Sequence, residues 1–454
     1  MAVACIALAV GSLALQNSPD FDPWGWIVWG REVLHLDLST TSGPSWKPGA
    51  VVFTTIFALS GGLAPSFWML TARLGALLAV VMAYRVPARL AGWFAGFVAA
   101  VLVLVMHDFV HGAIYGEAEP LMVGFLLFGI DRALARSERA ALILLLFASL
   151  LRPEVWPVLG AYSVYLWTKS AARRPWIIVV WGLLALLWFG GDWWGSANPL
   201  SASTRAKQFV IFNPYEHYAR PGVAMLTLAG DLLHRPSILL AGVAVVFAIR
   251  RRDAVVLALA ASAVTMLLAV VAMAQDGYPV LDRFLFGSVS LTLVLSGIGA
   301  GYVVRLIWQR QRIAALAVAA LIVALLSPLV TSNVRSWRPD IESARQWSNE
   351  TQTVRQAIAA AGMARIVACR GSIATYVLLA PTLAWDLDTH MTRVFSWGDN
   401  PNGIIFIRDR DPLQIIESQK PRSIHTIAQA AGWRVLYVVT RLPKRKTVDP
   451  ISTC

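Results

Sequence analysis

The feature that most constrains this chain is a succession of apolar segments separated by short polar turns. A helix needs about 20 largely apolar residues to cross a bilayer, and fewer when its neighbours bury it. The segment at the start of the chain has no basic N-terminal region and no clear cleavage site, so we interpret it as a span and not as a signal peptide. We predict eleven spans, at residues 1–16, 65–84, 90–106, 118–133, 140–151, 153–168, 176–191, 236–249, 254–274, 284–304 and 313–330.

The composition excludes an ordinary soluble protein, because 57% of the residues are hydrophobic and only 14% are charged. The formal net charge of +13 would favour nucleic-acid binding in a soluble chain. Here, however, the basic residues cluster in alternate turns, which is an orientation signal, so we expect no nucleic-acid partner. The clusters are Arg85/Arg89, Arg132/Arg136/Arg139, Lys169/Arg173/Arg174, Arg250/Arg251/Arg252 and Arg305/Arg310/Arg312.

By the positive-inside rule these five clusters face the cytoplasm. The opposite, extracytoplasmic side then receives the loop 16–64, the turn after Met106, the break at Arg152, the loop 191–235, the turn 275–283 and the C-terminal tail. The predicted location is a multi-pass protein of the cell membrane with its functional residues on the outer side. Gly222–Leu233 is either part of the eighth span or a separate surface helix.

The outer loop between the first two spans is rich in tryptophan and carries two carboxylates, Asp20 and Asp22. A helical pattern covers residues 23–35, and Trp46 and Lys47 follow it. Tryptophan favours the bilayer–water interface, where its ring lies among headgroups and its N–H stays in contact with water. We therefore predict an interfacial helix here and a second one at 51–59.

Asp22 has two interpretations. An Asp before Pro is a good helix start, because the carboxylate accepts hydrogen bonds from free backbone N–H groups. The same carboxylate could instead accept a proton from a substrate, as a general base does.

Further ionisable residues lie on the predicted outer side, where they are costly near a membrane and often mark function. Each also has a structural explanation, as a favourable charge at a helix end or as a snorkelling side chain. They are His107, Asp108, His111, Glu117, Glu119, Arg152, Glu154, Asp282 and Arg283. The spacing of His107 and His111, with Asp108 between them, makes these three weak candidates for metal ligands.

Four short motifs in order carry a family resemblance: Phe21–Asp22–Pro23, Arg31–Glu32, Lys47–Pro48 and Ala72–Arg73–Leu74. Residues 1–330 resemble the GT-C glycosyltransferases, and within them the branch of protein O-mannosyltransferases and lipid A aminoarabinose transferase. That branch usually has a second acid where this chain has Pro23. The resemblance implies a polytopic helical fold and a sugar donor carried on polyprenyl phosphate.

The resemblance also implies roles for matching residues. Asp22 corresponds to the catalytic aspartate, with Asp20 as the other candidate, and Lys47 corresponds to a lysine that contacts phosphate. Glu119 matches an acidic residue at the fourth span, and Arg283 matches the start of a later span. The full set that we expect to bind substrate is Lys47, Trp24, Trp46, Glu117, Glu119, Arg152, Glu154 and Arg283. Some GT-C enzymes use a divalent metal, which is possible here.

The tail after residue 330 changes character. Alternating helical and short apolar segments predict a small α/β domain over 331–454, distinct from the transmembrane module 1–330. We predict a helix at 339–361, strands at 366–369, 403–407 and 435–439, a helix at 372–379, and two short helices within 413–431. The tail has no phosphate-binding loop or nucleophile motif. Its two cysteines, Cys369 and Cys454, could pair.

The leading functional hypothesis is a membrane glycosyltransferase that moves a sugar from a polyprenyl-phosphate donor to a glycan, lipid or protein of the cell envelope. The composition would fit a GC-rich bacterium, for which mannose and arabinose are reasonable sugars. One alternative is a transporter or flippase, which favours ionisable residues at mid-membrane depth. The other is a non-enzymatic scaffold for envelope assembly.

Overall fold

The computed structural model describes residues 2–15, 18–212, 218–369, 371–396, 403–413, 416, 421 and 423–439. It is a helical membrane protein with a small C-terminal sheet, which confirms the predicted fold class. The α-helices are Ala2–Ser12, Phe21–Leu34, Pro48–Ala58, Ala64–Ala91, Trp93–Leu104, Phe109–Tyr115, Ala118–Leu134, Glu138–Leu151, Trp156–Lys169, Arg174–Ala185, Gly191–Ser196, Ser201–Phe212, Pro221–Leu233, Arg235–Arg251, Ala254–Gln275, Phe286–Trp308, Arg312–Ala361, Met363–Ala368 and Ala380–Asp386.

Every predicted span contains a helix, but the helices differ in length. Among the described residues, five are long and apolar enough to cross a membrane, or seven if two bent helix pairs each form one span. Pro221–Leu233 is one member of such a pair, bent by 92° from Arg235–Arg251. Gly222–Leu233 thus lies in a helix of its own, which together with Arg235–Arg251 is long and apolar enough for a span.

Helix Phe286–Trp308 lies at the centre of the bundle, and 89% of the apolar part of its span is buried within the protein. Small residues make this possible. A Cβ atom on Gly299 would lie 1.9 Å from the backbone oxygen of Leu240, and one on Gly75 would lie 2.6 Å from the Cα of Leu121. Close backbone approach of this kind increases van der Waals packing, on which helices in a membrane depend.

The loop between the first two predicted spans, which we call the first outer loop after its predicted side, forms two helices, Phe21–Leu34 and Pro48–Ala58, close to the predicted positions. The expectation that its tryptophans lie among lipid headgroups was wrong. Trp24, Trp26 and Trp29 are at most 1% exposed. Their N–H groups donate to oxygens of the same loop, those of Ser18, Ser45 and Ser39. Because these partners lie within the loop, the indoles need no water, and they pack into the main hydrophobic core.

A single helix, Arg312–Ala361, continues from the last predicted span into the tail without interruption. We refer to it as the long helix. The predicted helix start at Pro339 was wrong, since Pro339 lies inside the helix. A proline removes one backbone hydrogen bond and can kink a helix, but packing on both sides can hold the flanking turns.

The tail contains a five-stranded mixed sheet in the order β2-β1-β3-β5-β4. Strand β1 pairs in parallel with β2 and β3, whereas β5 pairs antiparallel with β3 and β4. The strands are β1 Ser372–Thr375, β2 Val394–Ser396, β3 Gly403–Arg408, β4 Ser423–Ala430 and β5 Trp433–Val439.

The predicted strands at 403–407 and 435–439 were correct, but three tail predictions were wrong. The segment predicted as a strand at 366–369 mostly belongs to helix Met363–Ala368, and the predicted helix 372–379 begins with β1. Two short helices were expected within 413–431; β4 occupies 423–430 in place of the second, and most of 413–422 lies outside the described residues. Apolar runs of four to eight residues do not distinguish strand from helix by periodicity, and all four residues of β1 are buried.

The cysteines have different states. Cys5 is free and Cys369 is disulfide-bonded. Cys454 lies outside the described residues.

Candidate functional site

The first outer loop is joined to the start of the central helix by an ion pair. Asp22 lies in the first turn of helix Phe21–Leu34, and its Oδ2 accepts a hydrogen bond from Nη1 of Arg283 at 2.6 Å. The helix-capping interpretation of Asp22 is wrong, because Asp20 occupies the cap position and its own side chain makes no capping bond. Asp22 is therefore held by a cation and not by the helix start.

Asp20 lies beside this pair in an extended conformation. Its backbone N–H donates to the oxygen of Tyr115 at 3.1 Å. Burial raises the pKa of the Asp20 carboxyl, and the charge of Asp22 acts in the same direction. Asp20 is thus poorly suited to remaining a free anion next to Asp22.

A second group of charges is buried close by. Lys47 Nζ lies 3.3 Å from Oε1 of Glu119, and Arg152 Nη1 donates to the same oxygen at 2.9 Å. Arg152 Nη2 lies 2.9 Å from Oε1 of Glu154. All four side chains are no more than 6% exposed. We call these four residues the buried charge cluster.

Each member of the buried charge cluster stands at the end of a helix. Lys47 precedes helix Pro48–Ala58, and Glu119 lies in the first turn of Ala118–Leu134. Arg152 follows Glu138–Leu151 in an extended conformation, and Glu154 occupies the 3₁₀ turn after it. The residue before a proline is disfavoured in the helical region, so Pro153 ends the preceding helix and turns Arg152 inward.

The buried charge cluster has hydrogen-bonding capacity that the described residues do not use. Arg152 Nε and Nη2 and both carboxylate oxygens of Glu154 are buried and lack a hydrogen-bond partner of good geometry in the described chain. The same holds for Oε2 of Glu117, and burial raises the pKa of Glu117 well above its usual range. Burial likewise lowers the pKa of Lys47, while Glu119 opposes the shift. A buried polar atom without a partner is costly, which indicates a site built for a ligand.

Aromatic faces cover two of the cations. Lys47 Nζ lies 4.7 Å from the ring centroid of Trp26, and the Arg152 guanidinium lies 4.6 Å from that of Phe284. Phe284 directly follows Arg283, so the Asp22–Arg283 pair and the buried charge cluster adjoin. These contacts stabilise desolvated cations without neutralising them.

The predicted ionisable residues come together only in part. The ligand atoms of His107, Asp108 and Asp282 lie within 4.8 Å of one another. The sequence had suggested His111 as the third residue of this group. His111 instead lies 3.4 Å from Asp340 of the long helix. One imidazole nitrogen and two carboxylate oxygens form a suitable donor set for several divalent ions.

The two tryptophans predicted to bind substrate differ in position. Trp24 lines a cavity below the tail domain. Trp46 packs against Trp29, with ring centroids 5.6 Å apart, and donates its N–H to the oxygen of Leu187. With 4% exposure, Trp46 supports the loop from inside.

Sequence reasoning missed the function of Arg31–Glu32, which it used only as a family motif. Arg31 donates to the backbone oxygens of Ala384, Trp385 and Thr389, at 2.8–3.3 Å. Glu32 lies 2.9 Å from Nδ1 of His390. The pair therefore attaches the tail to the first outer loop. An Arg–Glu pair within a tryptophan-rich helix was the one available signal.

No protein-family model matches the sequence, and no curated protein matches it significantly. Two solved structures of ArnT from Cupriavidus metallidurans are similar in fold. The apo structure superposes with a TM-score of 0.54 at 13% identity, and the structure bound to undecaprenyl phosphate with a TM-score of 0.50 at 15% identity. Each comparison covers 96% of this chain and 97% of the other. At these identities the likeness concerns the fold alone: this chain has the fold of the ArnT structures, in agreement with the resemblance inferred from the sequence.

Proposed function

We propose that this protein is a membrane glycosyltransferase that moves a sugar from a polyprenyl-phosphate donor to an extracytoplasmic acceptor. The observation that carries the proposal is the buried charge cluster, in which Lys47 and Arg152 share one carboxylate and Arg152 keeps unused donors. A phosphate group would use those donors, because guanidinium binds phosphate through two parallel hydrogen bonds. The fold shared with an ArnT that binds undecaprenyl phosphate supports this choice of donor.

The transfer requires a base and a stabilised leaving group. Asp22 accepts the proton of the acceptor hydroxyl while the hydroxyl oxygen bonds to the anomeric carbon of the sugar. The bond between that carbon and the phosphate oxygen breaks, and its electron pair leaves with the polyprenyl phosphate. Lys47, Arg152 and Arg283 stabilise the negative charge that develops there.

Arg283 connects the two parts of this step. In the structure its guanidinium is engaged by Asp22 at 2.6 Å. An arriving phosphate competes with Asp22 for this cation, because both are anions with hydrogen-bond-accepting oxygens. Donor binding would thereby release the Asp22 carboxylate toward the acceptor, so that the base becomes free only when the donor is present.

A divalent ion, if the enzyme uses one, would be held by His107, Asp108 and Asp282. Such an ion supplies a Lewis acid for a phosphoryl oxygen. The three residues also satisfy one another, since His107 Nδ1 lies 3.3 Å from Asp108 and 3.4 Å from Asp282.

Donor profiling tests the proposed function. The purified protein is incubated with polyprenyl-phosphate mannose, arabinose and other sugars together with envelope extracts as acceptors. We expect transfer from one donor, and loss of that transfer in Lys47→Gln, because Lys47 contacts the departing phosphate. Movement of a lipid-linked sugar across proteoliposomes without any transfer would support the transporter alternative. Binding of envelope components with neither activity would support the scaffold.

A further inference from the structure

A cavity of about 370 Å³ lies between the tail and the membrane part of the protein. The first outer loop contributes Trp24, and the start of helix Ala64–Ala91 contributes Ser66. The long helix lines it with Gln352 and Arg355, and helix Ala380–Asp386 with Trp385. We call it the interdomain cavity. Its volume falls in the range of about 300–1,000 Å³ that is typical of small-ligand sites.

The lining combines aromatic rings with planar polar groups. The ring centroids of Trp24 and Trp385 are 6.3 Å apart, with their planes tilted by 40°. Arg355 donates from Nε to Oδ2 of Asp386 at 2.8 Å, and its guanidinium lies 5.7 Å from the ring centroid of Trp24. The amide of Gln352 adds two donors and an acceptor.

This combination suits a saccharide. The C–H face of a sugar ring is apolar and packs on indole, while neighbouring hydroxyls each need a donor and an acceptor, as the Arg355–Asp386 pair and Gln352 provide. A phosphate group fits less well, because Arg355 is the only cation among the described lining residues and shares its charge with Asp386. The interdomain cavity thus differs chemically from the buried charge cluster, which holds two cations, Lys47 and Arg152, and adjoins a third, Arg283.

The position of the interdomain cavity relates it to the proposed reaction. Trp24 lies on the same first turn as Asp22, two residues further along helix Phe21–Leu34. None of Lys47, Arg152 and Arg283 lines the cavity. The interdomain cavity therefore lies within one helical turn of Asp22 along this helix and is lined by none of the residues proposed to hold the phosphate.

We infer that the interdomain cavity binds a saccharide unit of the acceptor and so determines which envelope molecule receives the sugar. The identification of the saccharide as the acceptor rests on the proposed function, whereas saccharide binding itself does not depend on catalysis.

Saturation-transfer NMR on the full-length protein tests the inference, in a detergent without a sugar headgroup. The probes are methyl glycosides of mannose, glucose, galactose, arabinose and N-acetylglucosamine at millimolar concentration. We expect at least one glycoside to bind. Gln352→Trp fills the cavity without removing an ion pair and should weaken that binding by at least about tenfold. The matched control, Gln346→Trp, changes an exposed residue of the same helix outside the cavity and should bind as the wild type does.

Binding of undecaprenyl phosphate is measured on the same three proteins and should be equal in all of them. If undecaprenyl phosphate binds but no glycoside does, or if Gln352→Trp binds glycoside as well as Gln346→Trp, the interdomain cavity is not a saccharide site. If glycosides bind as expected but undecaprenyl phosphate does not, the proposed function fails and the saccharide site remains.

Discussion

Two ends of the helical bundle both concentrate charge, but they arrange it differently. At the end with the predicted cytoplasmic turns, Asp131 is fully buried and lies 3.6 Å from Arg85 Nε and 3.2 Å from Arg89 Nε, with Arg132 on its other oxygen. These arginine side chains are 28–37% exposed. We call this the basic end, and the end with the buried charge cluster the site end.

At the site end the order is reversed, because the cations themselves are buried. Lys47 and Arg152 are 6% and 4% exposed. Partly exposed arginines that pair with one buried acid hold helices together, and their desolvation costs little free energy. Burying a cation costs desolvation free energy unless ion pairs and hydrogen bonds offset it. The comparison teaches that exposure of the cation, more than the number of charges, separates a structural ion pair from a ligand site.

The two ends should differ most in their accessibility to a reagent added outside the cell. In a Cys5→Ser background, compared with the same background without an added cysteine, Ser201→Cys reports on the loop after helix Gly191–Ser196 and Ser137→Cys reports on the basic end. We expect a membrane-impermeant maleimide to label the first and not the second in intact cells, because basic turns stay in the cytoplasm. Labelling of Ser137→Cys from outside would invert the orientation and place the site end in the cytoplasm.

The largest effect on rate should come from the base. Asp22→Asn keeps the size of the side chain but removes its charge, so transfer should fall by about 10²–10⁴-fold, the usual contribution of general-base assistance. Initial rates at saturating donor measure this loss. The control is Asp131→Asn at the basic end, which should keep most of the wild-type rate. A fully active Asp22→Asn enzyme would remove Asp22 from the mechanism and make Asp20 the next residue to test.

Donor affinity should distinguish the two kinds of arginine. Hydrogen bonds to charged groups contribute about 1.5–3 kcal/mol, so Arg152→Gln should bind undecaprenyl phosphate about 10- to 100-fold more weakly. Arg89→Gln at the basic end should bind it normally. Arg152→Lys, which keeps the charge but loses the planar fork, should fall between the two. Melting curves check that each variant folds. Equal affinities for folded Arg152→Gln and wild type would contradict the phosphate assignment.

The smallest effect should be a change of stability at the basic end. Asp131→Asn removes the charge that three arginines share, and we expect a loss of about 1–2 kcal/mol in the free energy of unfolding, because the partly exposed guanidinium groups can turn to solvent. Thermal unfolding in detergent measures it. If Asp131→Asn left stability unchanged but weakened donor binding, the basic end would not have a purely structural role.

The features of the fold and the site that could be predicted are those whose sequence signal lies within a short stretch of the chain. Arg152–Pro153 interrupts an apolar run, so the sequence alone indicates a charged break there. The partnership of Arg152 with Glu119 and Lys47 joins residues that are far apart in the chain, and only the packing of the helices shows it. The replacement of His111 by Asp282 in the His107 cluster has the same cause. His111 has the right spacing on its own helix, but that helix turns it toward Asp340.

The tail shows the opposite limitation. Strand β1 has only four residues and all of them are buried, so it carries no alternation to mark it. The strongest sequence signals were the long apolar runs, and these predicted the fold class correctly. The tryptophans of the first loop misled, because the same residue that favours a membrane interface also forms a core when its N–H finds a partner in the loop.

The long helix sets a constraint on how this protein can change during evolution. Its 50 residues extend over about 75 Å, and each added residue rotates the C-terminal remainder of the helix by about 100° and moves it 1.5 Å. Inserting one residue between the membrane part and Asp340 would therefore rotate Asp340 away from His111 and Gln352 away from the interdomain cavity together. Loops elsewhere can accept insertions, but in this helix the number of residues fixes the directions in which both contact residues point. Relatives that keep both contacts should accordingly conserve its length while varying its sequence.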